Sequence, residues 1–113
     1  MAVAGLLTHL RRGTLEFCVL ALLRDGEMYA VDLTRALSAD EILVSGEGTV
    51  YPLLSRLRKD RLVDTSWRES PTAGPPRRYY RLTDSGQSAL SDFEAQWNLF
   101  RHAVDDALKG NLR

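Results

Sequence analysis

The sequence predicts a mainly α fold with one small β-hairpin, followed by a long terminal helix. Three stretches carry that expectation. Residues 48–59 put Val50, Leu53, Leu54 and Leu57 on one side of a helical wheel and Gly48, Pro52, Ser55, Arg56 and Lys59 on the other. Residues 62–68 and 77–82 each alternate, with Val63, Thr65 and Trp67 on one side of the first run and Arg78, Tyr80 and Leu82 on one side of the second. A Pro- and Gly-rich tip at 70–76 separates them. Beyond residue 84, Leu90, Phe93, Trp97, Phe100, Val104 and Ala107 recur at alternating steps of 3 and 4, a pairing seam of period 3.5.

Taken in order, Thr14 stands as the N-cap of a first helix in which Leu15 to Leu23 is apolar at every position but Glu16. A helix apolar nearly all round needs burial on more than one side, so part of it is expected to pack on a second subunit. Arg24-Asp25-Gly26 ends it with a turn. Val31, Leu33 or Thr34, and Leu37 place a second helix over residues 29–37. Residues 38–48 read as a connection that holds the triplet Ile42-Leu43-Val44, with Ser45 and Gly46 as breakers. In the third helix, with Thr49 as N-cap, Pro52 falls in the first turn, where its missing N–H breaks no bond; a start nearer Ser45 would make it a bend. The free N–H groups and positive dipole of such an end suit a phosphate. After the hairpin, Thr83 caps the last helix, whose roughly 25 residues make a rod of about 37 Å. Residues 109–113 read as a frayed tail. Three helices and then a hairpin is the order of a winged helix-turn-helix, assigned to residues 1–83, with a dimerisation helix over 84–113.

The 113 residues carry 15 basic and 15 acidic side chains, but their distribution is uneven. Residues 1–46 hold 4 Arg and 6 acids, residues 47–81 hold 8 basic and 4 acidic groups, and residues 82–113 hold 3 and 5, giving −2, +4 and −2. The middle third is therefore the candidate surface for a polyanion. A single cysteine, Cys18, rules out an internal disulfide and ligation by paired cysteines, and its apolar surroundings make it a small core residue. His9 and His102 have no partner at ligand spacing, so neither metal nor cofactor is expected. No apolar stretch reaches membrane-spanning length and no leader pattern opens the chain, so a cytoplasmic protein is expected. An enzyme built on Cys18 lacks a general base, a phosphate loop and a metal cluster.

Three motifs in this order carry a family resemblance: Gly13-Thr14-Leu15-Glu16, Gly48-Thr-Val-Tyr-Pro-Leu-Leu-Ser-Arg-Leu57, and Gly74-Pro-Pro-Arg-Arg-Tyr-Tyr-Arg-Leu-Thr83 with Gly86. Over residues 12–108 the chain resembles the PadR family of bacterial transcriptional regulators, in its compact branch with one C-terminal dimerisation helix. The resemblance implies a homodimeric repressor on a pseudo-palindromic duplex, with the third helix in the major groove and the Arg-rich wing on the backbone or minor groove. Two positions depart from the family's habit. Arg61 stands where Gly is common, and Met28 precedes Tyr29 where Gly is frequent.

On this reading Thr49, Tyr51, Ser55, Arg56 and Lys59 face DNA from the helix, and Arg77 and Arg78 from the wing. Base discrimination favours a planar donor pair, so Arg56 is assigned to a base and Lys59 to a phosphate. Trp67 is expected to pack against the second or third helix. The dimer is expected to form through Leu15, Val19, Leu90, Phe93, Trp97, Phe100 and Val104. Some compact members of the family bind flat aromatic compounds at the dimer centre, so the resemblance implies a planar aromatic effector at Trp97 with Phe93 and Phe100. The alternative is a winged-helix module that docks on a protein through the same basic face. The cations retained on helix and wing favour DNA.

Overall fold

The computed structural model describes residues 3–44 and 48–113, so the breakers expected at Ser45 and Gly46 lie outside the described residues. Within them, α1 (Val3–Arg11) precedes α2 (Leu15–Leu22), β1 (Met28–Tyr29), α3 (Ala30–Ser38), α4 (Val50–Lys59), β2 (Val63–Arg68), β3 (Arg77–Leu82) and α5 (Asp84–Leu108). The expected three helices and hairpin are present as α2, α3, α4 and β2–β3. Two elements were not expected. Helix α1 leaves Leu6 and Leu10 exposed, and the two-residue β1 has no pattern of its own. It exists because Met28 and Tyr29 pair antiparallel with Tyr80 and Tyr79, which makes a three-stranded sheet of order β1-β3-β2. Met28, at the family's frequent Gly, packs against the core.

One core joins every layer. Val19, Leu20 and Leu23 meet Leu33 and Leu37 of α3, Val50, Leu54 and Leu57 of α4, Val63 of β2, Tyr80 of β3 and Leu90 of α5. The apolar side foreseen for α4 is therefore the side that is buried, Leu53 included. Two expected caps act differently. The Thr14 hydroxyl donates back to the Leu10 and Arg11 carbonyls at the end of α1, and Thr49 makes no side-chain cap bond. Arg11 ties the loop after α3 to α1, donating to the Glu41 and Ile42 carbonyls at 2.7 Å each.

The exit of α4 and the entry of α5 form a single junction. Arg61 takes φ 62°, while its N–H donates to the Arg58 carbonyl and the Leu62 N–H donates to the Leu57 carbonyl, both at 3.0 Å. This is a Schellman closure with arginine at the position glycine favours. Thr83 then works in both directions. Its hydroxyl donates to the Arg61 carbonyl at 2.7 Å and accepts from the Gly86 N–H at 2.9 Å, and its own N–H donates to the Leu62 carbonyl at 3.2 Å. Gly86 lies so close to this turn that a Cβ there would overlap the Leu62 carbonyl oxygen.

Candidate nucleic-acid interface

On α4 the side opposite the core is open. Tyr51, Ser55 and Lys59 are spaced four residues apart, so they form one ridge along the helix, and all three are exposed. None of their side chains hydrogen-bonds or ion-pairs with another described residue. Thr49, at the start of the same helix, is exposed too. Arg56 behaves differently: its guanidinium reaches back to Glu16 in the first turn of α2, Nη2 to Oε2 3.4 Å. The residue assigned to a base is thus held by a carboxylate 40 positions earlier in the chain. Three cations, Arg56, Arg58 and Lys59, lie in the last turn of α4 and suit its negative dipole end.

The wing is a regular antiparallel pair with Val63 opposite Leu82, Thr65 opposite Tyr80 and Trp67 opposite Arg78. Because side chains alternate across the pleat, these six share one face, and near the body that face is buried at Val63 and Tyr80. Helix α4 packs on β2, so this face looks toward α4. Arg77 lies on the opposite face, its guanidinium 4.6 Å from the centroid of the Tyr29 ring, and Arg68 lies 5.3 Å from that of Tyr79 while paired with Glu27. Of the two wing arginines assigned to DNA, only Arg78 is on the α4 side. Its guanidinium lies 4.7 Å from the centroid of the Trp67 ring, and its Nε is buried without a hydrogen-bond partner among the described residues. Trp67 corrects the expectation of a packed residue. It is 63% exposed, because the hairpin runs past the last helix that covers its inner face.

Helix α5 continues the aromatic theme away from the wing. Phe17 of α2 stacks on Phe93 at 4.2 Å between centroids, and Phe93, Trp97 and Phe100 follow one another at 5.8 and 6.4 Å. Thr14, Gln96 and Leu99 join these three α5 aromatics around an open groove of about 490 Å³. The expected dimer set divides here. Val19 and Leu90 belong to the core of the single chain, since α5 still lies against α2 at that level, and have no surface left to offer a partner. Leu15 and Phe93 are half-buried, whereas Trp97, Phe100 and Val104 are exposed. Burial raises the pKa of the half-buried Cys18 thiol, which suits a packing role.

Residues 19–92 match the model of the Transcriptional regulator PadR-like family. This chain belongs to that family. The match takes in α4, the junction and the wing and stops at Asp92, so Trp97, Phe100 and Val104 lie beyond it. Among solved PadR-like structures, the regulator from Eggerthella lenta is 37% identical with a TM-score of 0.80, covering 96% of this chain and 94% of its own. A PadR-like transcription factor from Bacteroides fragilis is 42% identical with a TM-score of 0.72, covering 88% and 95%. The structure of Bacillus subtilis PadR in complex with operator DNA is 26% identical with a TM-score of 0.63 over 72% of this chain and 46% of that longer one. A transcriptional regulator of Mycobacterium tuberculosis is 35% identical over 82 residues, 73% of this chain and 74% of its own.

Within the PadR-like frame, sequence reasoning overlooked two side chains beside the candidate surface, Glu16 on Arg56 and the exposed Trp67, and one on the opposite face of the wing, Arg68 on Tyr79 and Glu27. Period-2 alternation identified the face on which Trp67 stands. It carries no information on where along that face the core ends. Glu16 stood out as the single charge in the apolar run of α2, a clue that it faces a cation.

Proposed function

We propose that this PadR-family regulator is a homodimeric repressor that reads a pseudo-palindromic DNA duplex, with α4 in the major groove and the wing on the flanking backbone or minor groove. The observation that carries the reading is the ridge of Tyr51, Ser55 and Lys59, exposed and without a side-chain partner among the described residues, on a helix beside a wing rich in arginine. Hydroxyls and an ammonium suit phosphate oxygens, and a guanidinium suits the paired acceptors of a guanine edge. The complex of Bacillus subtilis PadR with operator DNA supports the same reading for this chain. Functionally the chain divides at Thr83, into a reading unit and a dimerisation helix, and it acts in the cytoplasm beside the genome. The groove at Phe93, Trp97 and Phe100 is the site of a small planar aromatic effector, which releases DNA by changing the angle between the two long helices.

Selection of duplexes from a random pool tests this. A recovered pseudo-palindrome, with half-sites about one helical turn or an in-phase multiple apart, is the expected result. Lys59→Ala should then weaken all sequences alike and flatten the salt dependence by about one unit, while Arg56→Ala should relax preference at one base pair. Binding that is unaltered in both variants, or no enriched sequence at all, would refute the assignment.

A further inference from the structure

We propose that Trp67 is a DNA-contacting residue of the wing, its free face lying against the deoxyribose of the strand that passes between α4 and the hairpin. The proposal rests on the DNA-binding reading above and adds a contact that neither composition nor motif assigned. Trp67 is the last residue on the inner face of β2, which begins buried at Val63 and ends open at the tryptophan. An indole left 63% exposed at that point leaves apolar surface that no described residue covers. Its other side is occupied by Arg78, whose guanidinium centre is 4.7 Å from the ring centroid, whose Nε is buried, and which forms no ion pair with another described residue.

The pair therefore has two unmet needs a short distance apart, an apolar face without cover and a cation without an acceptor. The backbone of a duplex repeats those complements, an apolar sugar face next to a phosphate. A protein partner with an apolar patch would meet the first need alone, and the four hairpin arginines, Arg68, Arg77, Arg78 and Arg81, set against Asp64 and Glu69, favour a polyanion. The contact with the ring also restrains the guanidinium of Arg78 before DNA arrives, so less side-chain freedom is lost on binding.

The chain has two tryptophans, so protein labelled with 5-fluorotryptophan gives two fluorine resonances, and Trp67→Phe assigns the one that disappears. Titration with the selected duplex should shift the Trp67 resonance saturably, in step with binding measured independently. Trp67→Ala should weaken the same duplex about five- to tenfold at every salt concentration, with Trp67→Phe recovering most of the loss. A Trp67 resonance unmoved at saturation, or a Trp67→Ala protein of unaltered affinity, overturns the contact. In either case Lys59→Ala separates the two levels: if it still weakens binding, the reading of α4 stands and Trp67 alone is misassigned. If the wild-type protein binds no duplex, both fall.

Discussion

Arg61 holds φ 62°, where an L side chain is disfavoured by about 1–2 kcal/mol relative to right-handed geometry. Glycine avoids that strain but loses more backbone freedom on folding. The net expectation is that Arg61→Gly raises stability by about 0.5–1 kcal/mol, measured as a higher urea midpoint at constant slope. Gly86 is the opposite case. A methyl group there meets the Leu62 carbonyl oxygen, a backbone atom fixed by the Thr83 N–H, so the strain cannot be relieved by turning a side chain. Gly86→Ala should cost about 1–3 kcal/mol and lower the thermal midpoint, although helix propensity alone favours alanine.

At the scale of elements, α4 has a free ridge and a restrained one. Lys59 has no ion-pair partner among the described residues, whereas Arg56 shares its charge with Glu16 on a different helix. Replacing Glu16 by Gln leaves α2 intact and frees the guanidinium to neutralise a phosphate. The salt dependence of binding to unrelated duplexes should steepen by up to about one unit, and discrimination between operator and random DNA should fall. Equal slopes in filter or anisotropy assays for the two proteins would show that the ion pair has no bearing on DNA. The contrast between these ridges also marks how far the sequence alone was legible. The buried side of α4, the wing with its alternating faces and the extent of α5 follow from periodicity, because each is a local repeat. The Arg56–Glu16 pair, the division of Arg77 and Arg78 between opposite faces, the two-residue β1 and the exposed ring of Trp67 depend on which element lies beside which. Helix α1 went unread because its apolar positions find little cover within the chain, and no capping pattern announces it.

The whole molecule measures 60 × 33 × 21 Å, and α5 supplies much of the long dimension. Its outer half leaves Leu99, Phe100, Val104 and Leu108 exposed, a stripe that a second chain would cover in the proposed dimer. Phe93 and Phe100 are therefore unequal. Phe93→Asp breaks the stack on Phe17 and should damage the fold itself, while Phe100→Asp should give a folded monomer with association weakened roughly a hundredfold or more. Sedimentation with parallel circular dichroism distinguishes these outcomes, and a Phe100→Asp protein that remains fully dimeric would place the interface elsewhere. The clasp between Thr83 and Arg61 adds an order in time. It closes a separation of 22 residues around the hairpin, so β2 and β3 must zip before the start of α5 can be anchored. Refolding should then show a concentration-independent phase ahead of a concentration-dependent one. In a chain still being made, the start of the last helix should stay unclasped until the hairpin has formed, so that in the proposed dimer partners would be chosen only among finished molecules.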